Sequence, residues 1–149
     1  MFFKMIIKLE TWLRENNLSY LNAKIVLRAE GNEIESRFIL DTGSPRTIVN
    51  FSDAESLEID FEDLKKAEMI SIGGRRYQGY VYSGIAFRFV TEENEIIEER
   101  MEVRVIKEDS KEGLEEIHRV PMILGTDFLQ KKGYKLFCDF VNERAFLEK

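Results

Sequence analysis

The sequence predicts an all-β protein, a closed or partly closed barrel with one or two short helices. Along most of the chain, apolar and polar residues alternate with a period of two, which is the pattern of half-buried strands. The helical patterns are few and short, which favours a barrel. At 149 residues the chain can bury one core and not two, so we predict a single domain over residues 1–149.

The predicted strands follow one another mostly as hairpins joined by short polar turns. One turn has the sequence EGNE and another TEEN, and both are rich in turn-forming residues. The strands are predicted at residues 23–29, 34–40, 66–72, 77–83, 84–90, 96–106, 134–140 and 144–149.

The first helix is predicted over residues 53–59, with a length of one or two turns. Ser52 and Glu55 have the spacing of a capping box, in which each side chain bonds the backbone N–H of the other residue. Residues 11–17 have a weaker pattern, which fits either a third short helix or a loop.

The second helix is predicted over residues 126–133. Thr126 or Asp127 can serve as its N-cap, basic residues occupy its last turn, and Gly133 is a typical stop signal. Residues 106–120 form a charged insertion ahead of this helix, and its candidate roles are an added lobe or a docking surface.

Charge and composition exclude several classes of function. The net charge of −6 argues against nucleic acid or an anionic membrane as the main partner, because both require a basic surface. Lys4 and Lys8 interrupt the apolar N-terminal run, and no apolar stretch reaches the length of a membrane span. The single Cys138 excludes an internal disulfide and fits a reducing compartment, so we expect a cytoplasmic location.

The stretch FILDTGS, residues 38–44, carries an acid in an unusual place. Asp41 directly follows two apolar residues of a predicted strand, and a desolvated carboxylate is costly unless it has partners. Asp, Thr and Gly are also common turn residues, so the triplet on its own fits a simple turn. The surrounding motifs decide between these interpretations.

Two further motifs follow the Asp-Thr-Gly triplet. Residues 68–81 have a hairpin pattern with two glycines at the expected tip, and residues 120–129 contain a second apolar strand ending in Ile-Leu-Gly. In this order, the three motifs resemble those of the retropepsin-like aspartic proteases, the single-domain, homodimeric relatives of pepsin. The resemblance extends from about residue 22 to the C-terminus. It implies a pepsin-type barrel with aspartic endopeptidase activity.

The chemistry of such an enzyme explains why the resemblance also implies a homodimer. Peptide hydrolysis without a metal or a covalent nucleophile requires a base that activates water and an acid that protonates the amide. Two adjacent carboxylates do both, because their mutual repulsion makes them share one proton. This chain has one Asp-[Thr/Ser]-Gly, so a second chain must supply the other carboxylate across a two-fold axis. No metal or other cofactor is expected.

The resemblance assigns a role to each residue of the loop. Asp41 would be the catalytic carboxylate, and Thr42 would hydrogen-bond across the axis to the partner loop. Gly43 would allow a close approach of the backbone and donate its N–H to the carboxylate. Ser44 would donate to the outer carboxylate oxygen, which favours the ionised form and predicts an activity optimum on the acid side of neutral.

The glycine-rich hairpin would be a flap, according to the same resemblance. Residues 70–80, with Ile72, Gly73 and Gly74 contacting the substrate, would close over an extended polypeptide and exclude water. The alternative is a hairpin with a glycine turn and no mobility.

The Ile-Leu-Gly motif would pack behind the catalytic loop. Ile123, Leu124 and Gly125 are accordingly expected to be core residues that do no chemistry. The charged residues nearby depart from the usual retroviral pattern, so we predict that Arg46 and Asp127 form a substitute ion pair.

Four other features are given structural roles. Residues 1–21 form an N-terminal extension, which is either core or a strand added to the dimer interface, as chain termini are in the family. His118 has no second His or Cys with which to bind a metal, and the acidic run 92–99 lacks the spacing of a calcium loop. Cys138 is expected to be a buried strand residue.

Two interpretations compete with an aspartic endopeptidase. The first is a dimeric peptide-binding or assembly module that has the same fold without turnover, since a fold does not imply a function. Retention of Asp41, Thr42 and Gly43 together argues against it, because a scaffold has no use for a desolvated charge. The second is an unrelated β-barrel with a chance Asp-Thr-Gly.

Overall fold

The computed structural model of the protein describes residues 4–15, 18–107 and 120–149. In these ranges the chain forms eleven strands, two short α-helices and one 3-10 turn. The strands are β1 Ile6–Lys8, β2 Glu10–Glu15, β3 Leu18–Ala29, β4 Asn32–Leu40, β5 Ile48–Val49, β6 Lys65–Ile72, β7 Arg75–Val90, β8 Ile96–Lys107, β9 Met122–Leu124, β10 Lys135–Asp139 and β11 Arg144–Glu148. The helices are α1 Phe51–Ser56 and α2 Thr126–Lys132, and the 3-10 turn is Phe61–Asp63. Neither α-helix in the described ranges is long and apolar enough to cross a membrane.

Six strands close into the barrel that the sequence predicts. Their order around the barrel is β3, β4, β9, β5, β8 and β7, and antiparallel pairing of Leu27 in β3 with Phe87 in β7 completes the circuit. Strand β2 continues the sheet beyond β3, and β6 continues it beyond β7. The predicted all-β class and the barrel are therefore confirmed.

Two of the barrel pairings are parallel and join distant parts of the chain. Strand β4 runs beside β9 with Leu40 opposite Leu124, and β5 runs beside β8 with Ile48 opposite Arg104. The ends of β4 and β9 therefore lie side by side. The Asp-Thr-Gly and Ile-Leu-Gly motifs, far apart in the sequence, become neighbours at this edge of the barrel.

The two ends of the chain meet in a separate three-stranded sheet with the order β1, β11, β10. Leu147 in β11 lies opposite Ile7 on one side and opposite Leu136 on the other. Ile7 and Leu147 belong to the main core, so β1 packs as a core strand of its own chain. A contribution of the N-terminal extension to a dimer interface stays a prediction.

Helix α1 begins at a different cap from the one predicted. Asn50 has an extended backbone, and its side chain accepts a hydrogen bond from the N–H of Asp53 at 2.9 Å. Ser52 lies inside the first turn, so the capping box predicted for Ser52 and Glu55 is wrong. Asn50 is held as the cap by a tertiary contact, because its amide donates to the carbonyl of Val120 at 2.9 Å.

Helix α2 lies at the predicted segment but has a different N-cap. The cap is Gly125, which offers no side-chain oxygen, and Thr126 is already the first helical residue. The carboxylate of Asp127 is not available as a cap because it bonds Thr47, as described below. Gly133 ends the helix with a left-handed φ of 73°, as predicted.

Two other predicted segments differ from expectation or lie partly outside the described residues. The helix considered over residues 11–17 is wrong where the structure describes them, because β2 pairs with β3 there. The charged insertion predicted at 106–120 begins and ends in the core, since Ile106 and Val120 are buried. The middle of this insertion, with His118, lies outside the described part of the chain.

An aromatic cluster fills the barrel and anchors α2. Phe128 is fully buried, its ring centroid lies 5.6 Å from those of Phe87 and Phe89, and it stacks on Tyr134 at 5.4 Å. Phe38 extends the cluster by an edge-on contact with Phe87 at 5.6 Å. Aromatic pairs of this kind add about 0.5–1.5 kcal/mol each beyond the burial of their area. Phe128 therefore anchors α2 against the barrel.

Replacing Phe128 with alanine should lower the free energy of unfolding by about 3–5 kcal/mol, because it removes a buried ring and leaves a cavity. Urea denaturation followed by circular dichroism, at one fixed protein concentration, measures this change. Val90→Ala is the control, since that side chain is 60% exposed, and it should change stability by less than about 0.5 kcal/mol. Equal losses in the two variants would contradict the placement of Phe128 in the core.

Candidate active site

The Asp-Thr-Gly loop lies where β4 and β9 end side by side. Leu40 is the last residue of β4, and the N–H of Asp41 donates to the carbonyl of Leu124 at 3.1 Å. This bond continues the parallel pairing one step into the loop. Asp41, Thr42 and Gly43 are exposed on the surface of the protomer. The desolvation cost that the sequence suggested for Asp41 is therefore not incurred within a single chain.

Hydrogen bonds inside the loop orient the Asp41 carboxylate. The N–H of Gly43 donates to Asp41 Oδ1 at 2.9 Å, which is the contact implied by the family resemblance. The N–H of Ser44 donates to the backbone carbonyl of Asp41 at 3.1 Å and closes a tight turn. A Cβ at position 43 would lie 3.2 Å from Oδ1, so a side chain there would crowd the carboxylate.

Ser44 does not make the contact predicted for it. Its hydroxyl donates to the backbone carbonyl of Arg46 at 2.7 Å, and its own carbonyl accepts a hydrogen bond from the N–H of Thr126 at 2.8 Å. Ser44 thus braces the loop against α2 and does not touch the carboxylate of Asp41. The expected acid optimum rested on that missing contact and loses this support.

Gly125 allows the loop to pack directly on the start of α2. A Cβ at this position would lie 2.4 Å from the carbonyl oxygen of Arg46 and 2.8 Å from that of Ser44, so a larger residue requires the backbone to move. The N–H of Gly125 also donates to Thr47 Oγ1 at 3.1 Å. Leu124, immediately before it, is fully buried behind the loop.

A buried hydrogen-bond cluster fastens the far side of the loop. Asp127 Oδ1 accepts from the Thr47 hydroxyl at 2.7 Å and from the N–H of Phe128 at 2.8 Å, and Oδ2 accepts from the N–H of Thr47 at 3.1 Å. The predicted ion pair between Arg46 and Asp127 is therefore wrong. Arg46 instead pairs with Glu68, with 3.4 Å between Nε and Oε1. The neutral donors of Thr47 satisfy the carboxylate without the cost of desolvating a second charge.

Thr47 is a residue of the site that the sequence motifs do not reveal, although its side chain and backbone make three of the hydrogen bonds there. A signal was present, because a polar residue directly before the apolar pair Ile48 and Val49 is a candidate for a buried hydrogen-bonding role. The identity of its partner could not be read from the pattern, since Asp127 lies far along the chain.

A groove with a volume of about 410 Å³ separates the Asp41 loop from the β6–β7 hairpin. In the described part of the chain, the charged residues that line it are Asp41, Arg46 and Glu68. Its apolar lining includes Pro45, Ile48, Met69, Ile70, Ile72 and Ile123. Ile123, expected to be a core residue, is 7% exposed and forms part of the groove as well.

The tip of the β6–β7 hairpin is built on two glycines. Ile72 pairs with Arg75, and the intervening Gly73 and Gly74 have positive φ values of 59° and 81°. Two consecutive residues with positive φ are typical of the tight turns that match the twist of a hairpin, and glycine adopts them at little cost. The hairpin forms a wall of the groove, and its closure over a substrate stays a prediction.

A charged cluster occupies one part of the groove wall. Arg104 Nε lies 3.3 and 3.2 Å from the two carboxylate oxygens of Glu68, which also pairs with Arg46. The side chain of Arg104 is only 10% exposed, against 42% for Arg46 and 47% for Glu68. A backbone hydrogen bond lowers the pKa of Glu68, and Arg104 and Arg46 reinforce this shift against the opposing effect of burial. Glu68 is therefore ionised at neutral pH.

An irregularity in β6 positions Glu68 for this cluster. The register of β6 against β7 shifts across residues 66–69. The side-chain amide of Gln78 donates to the carbonyl of Ala67 at 2.9 Å and holds the shifted backbone in place. A Cβ at Gly79 would lie 2.6 Å from the carbonyl oxygen of Glu68, so the shift is possible because position 79 lacks a side chain.

A second concave surface, of about 340 Å³, also includes Asp41 and Thr42. The rest of its lining is Tyr20, Leu21, Leu40, Leu136, Cys138 and Phe140, and we call it the β10 surface. Cys138 is a strand residue, as predicted, but half-buried rather than buried. Phe140 and its neighbour Val141 are 66% and 90% exposed. Large apolar side chains with this exposure are typical of a contact surface.

The barrel, the loop and the hairpin together define the class of this protein. The family model described as aspartyl protease matches residues 25–128, which include the Asp41 loop, the β6–β7 hairpin and the start of α2. The match spans more than half of the chain. The chain therefore belongs to the aspartyl protease family, and its fold is that of the retropepsin-like members.

Two solved structures illustrate the fold. One is a retropepsin-like aspartic protease from Rickettsia conorii, with a TM-score of 0.54 and 16% identity, covering 97% of this chain and 90% of that chain. The other is EIAV protease complexed with the inhibitor HBY-793, with a TM-score of 0.51 and 16% identity, covering 85% of this chain and 100% of that chain. At this identity the likeness concerns the fold alone. No curated protein matches the sequence significantly.

Replacing Asp127 with alanine should lower the free energy of unfolding by about 2–4 kcal/mol, because two buried donors of Thr47 lose their acceptor. Urea denaturation measures the loss. Arg46→Gln is the control and should cost less than about 1 kcal/mol, since its ion pair is half-exposed. If Arg46→Gln lowered the free energy of unfolding as much as Asp127→Ala, the result would favour an ion pair between Arg46 and Asp127 over the contacts described here.

The stabilisation provided by Glu68 should depend on pH. Its pKa in the folded chain is below the ordinary value of 4.5, so the stabilisation is fully present above that value and is lost as the pH falls through the folded-state pKa. Glu68→Gln should therefore lower the free energy of unfolding at neutral pH, and should have no effect once Glu68 is protonated in both the folded and the unfolded wild type.

Urea titrations of wild type and Glu68→Gln at several values between neutral pH and about pH 3 measure this difference. Glu35→Gln, at a carboxylate that is 60% exposed and paired with Lys24, provides the reference curve. A difference for Glu68→Gln that stayed constant or grew towards acid pH would contradict the expected titration.

Proposed function

We propose that the protein is an aspartic endopeptidase whose active site forms at the two-fold axis of a homodimer, from the two copies of Asp41. The observation that carries the proposal is the setting of Asp41 in one protomer. Its carboxylate is oriented by Gly43, exposed, and part of both the groove and the β10 surface. A second carboxylate brought to this point would complete an acid–base pair.

The two carboxylates share one proton and work on a water molecule held between them. The ionised carboxylate takes a proton from the water as its oxygen attacks the carbonyl carbon, and the protonated carboxylate donates its proton to the carbonyl oxygen. In the second step, the carboxyl group that took the proton from water donates it to the amide nitrogen, the C–N bond breaks, and its electron pair leaves with the nitrogen. The other carboxylate takes a proton from a hydroxyl of the intermediate, which restores the shared proton.

The β10 surface supports the dimeric part of the proposal. It joins Asp41 and Thr42 to exposed apolar side chains such as Phe140, so a partner that covers the apolar side chains also approaches the loop. A symmetric dimer buries the same surface on both subunits, which is the arrangement that brings two copies of one loop together at the axis. Thr42, exposed beside Asp41, would then reach the partner loop.

The groove supports a polypeptide substrate. An extended chain between the Asp41 loop and β6 would form main-chain hydrogen bonds as an added strand, and the apolar lining would accept its side chains. The β6–β7 hairpin, with Ile72, Gly73 and Gly74 at its end, would act as the flap that excludes water. The cytoplasmic location expected from the single cysteine stays a prediction.

Replacing Asp41 with asparagine should abolish cleavage of a peptide library at every pH tested, because the dyad loses its shared proton. A mixing experiment tests the dimer at the same time. After subunit exchange, an equal amount of Asp41→Asn protein should reduce the activity of a fixed amount of wild type to about half, because mixed dimers are inactive. Product formation is followed by mass spectrometry, and sedimentation equilibrium gives the oligomeric state.

Asp63→Asn is the matched control, because Asp63 is an exposed aspartate on the 3-10 turn. It should retain activity and should not inhibit wild type in the mixture. Cleavage that survives Asp41→Asn would eliminate the mechanism. A stable dimer that binds peptides without cleaving them would favour the peptide-binding module, and a monomer with full activity would eliminate the two-fold site.

A further inference from the structure

The β6–β7 hairpin has a charge opposite to that of the rest of the protein. Residues 65–81 contain four basic residues and one acidic residue, a net charge of +3, whereas the whole chain has a net charge of −6. The basic residues are Lys65, Lys66, Arg75 and Arg76. Since this hairpin forms a wall of the groove, an acidic polypeptide would be attracted to the groove more strongly than a basic one.

The one acidic residue of the hairpin does not offset this charge inside the groove. Glu68 is held by Arg104, whose guanidinium nitrogen Nε lies within 3.3 Å of both carboxylate oxygens. The side chain of Arg104 is 10% exposed, so moving Glu68 away would take the closer carboxylate from a nearly buried cation and leave it the longer contact to Glu102, at 3.7 Å. The charge of Glu68 is therefore neutralised by Arg104.

Arg46 is the member of the cluster that can exchange its partner. Its side chain is 42% exposed and, among the residues that the structure describes, makes a single ion pair, at 3.4 Å, with a carboxylate that already has a closer partner. Its backbone, in contrast, is fixed, because its carbonyl accepts the Ser44 hydroxyl at 2.7 Å and packs on Gly125. A guanidinium on a fixed backbone, lining the groove, presents a fork of donors that matches a carboxylate.

The apolar side chains around Arg46 indicate that a substrate has an aliphatic side chain as well as an acidic one. The large apolar side chains that line the groove are four isoleucines and a methionine, Ile48, Ile70, Ile72, Ile123 and Met69. An aliphatic side chain of the substrate fills such a surface, and it brings neighbouring residues of an extended chain within reach of Arg46.

We propose that Arg46 selects polypeptide substrates that have an acidic side chain close to an aliphatic one, by exchanging its contact with Glu68 for the substrate carboxylate. This inference rests on the proposed peptide-binding groove and deepens it by naming the substrate class. Glu68 and Arg104 remain paired during the exchange and hold the wall in place. Arg46 is a specificity-determining residue and takes no part in the chemistry at Asp41.

A peptide series with one central leucine tests this assignment. Glu, Gln or Lys is placed in turn at each nearby position, and kcat/KM is measured for wild type, Arg46→Gln and Arg46→Glu. Wild type should prefer Glu over Gln by roughly fivefold at one position, as expected for a half-exposed ion pair. Arg46→Gln should remove the preference, and Arg46→Glu should reverse it in favour of Lys. High salt should weaken the preference of wild type.

Lys24→Glu is the control, because it makes the same change of charge at a residue paired with Glu35 outside the groove. This variant should keep the preference of wild type for Glu. The same peptides are also titrated against the Asp41→Asn protein, with and without Arg46→Gln, by fluorescence anisotropy. This second measurement separates recognition of the peptide from its cleavage.

The outcomes distinguish this inference from the proposed function. Cleavage of the Glu, Gln and Lys peptides at equal rates, or a preference that survives Arg46→Gln, would overturn the inference and leave the endopeptidase standing. Preferential binding of the Glu peptide that requires Arg46, without any cleavage by wild type, would support the inference and overturn the catalytic proposal. A preference of wild type for Lys would assign the selection to Glu68 instead. If wild type neither binds nor cleaves any of these peptides, both the inference and the proposed function are overturned.

Discussion

Two hydrogen bonds from Thr47 to the carboxylate of Asp127 fasten the Asp41 loop to α2, away from water. Helix α2 is in turn fixed in the barrel by Phe128, which lies among other buried rings. The aromatic core, the helix and the loop therefore form one continuous support. Gly125 is what permits it, because a Cβ there would collide with the backbone of the loop. The position of the Asp41 carboxylate is thus decided by packing some distance from the carboxylate itself.

Two aspartates near this point differ in what surrounds them. Asp127 is 9% exposed, and three donors from Thr47 and Phe128 satisfy its carboxylate. Asp41 is exposed in the protomer, and its carboxylate has the N–H of Gly43 as a donor. A carboxylate with all its donors in place serves structure, whereas one that is oriented and still accessible can exchange protons with water or a substrate. This contrast supports the proposed catalytic role of Asp41, in a site that a second protomer would complete.

The charged residues of the groove wall differ in the same way, because some are held by buried contacts and one is free to change its partner. Arg104 is nearly buried and holds Glu68, so this pair belongs to the framework of the hairpin. Gly79 and Gln78 make the shift in β6 possible and so decide where Glu68 points. Arg46 lies at the exposed end of the cluster with one longer contact. The nearly buried Arg104 thus stabilises the hairpin, and the exposed Arg46 provides the selectivity that we infer.

The sequence by itself determined the strand pattern, the barrel class, the position of α2 and the three motifs, because alternation and glycine turns are local signals that neighbouring residues encode. It did not determine the partners of polar side chains. Arg46 was assigned to Asp127, Ser44 to the Asp41 carboxylate and a capping box to Ser52, and each was wrong. Which donor meets which acceptor depends on the parallel pairing of β4 with β9 and of β5 with β8, which joins segments distant in the chain. Only the tertiary structure decides that, since such contacts leave no periodic trace in the sequence.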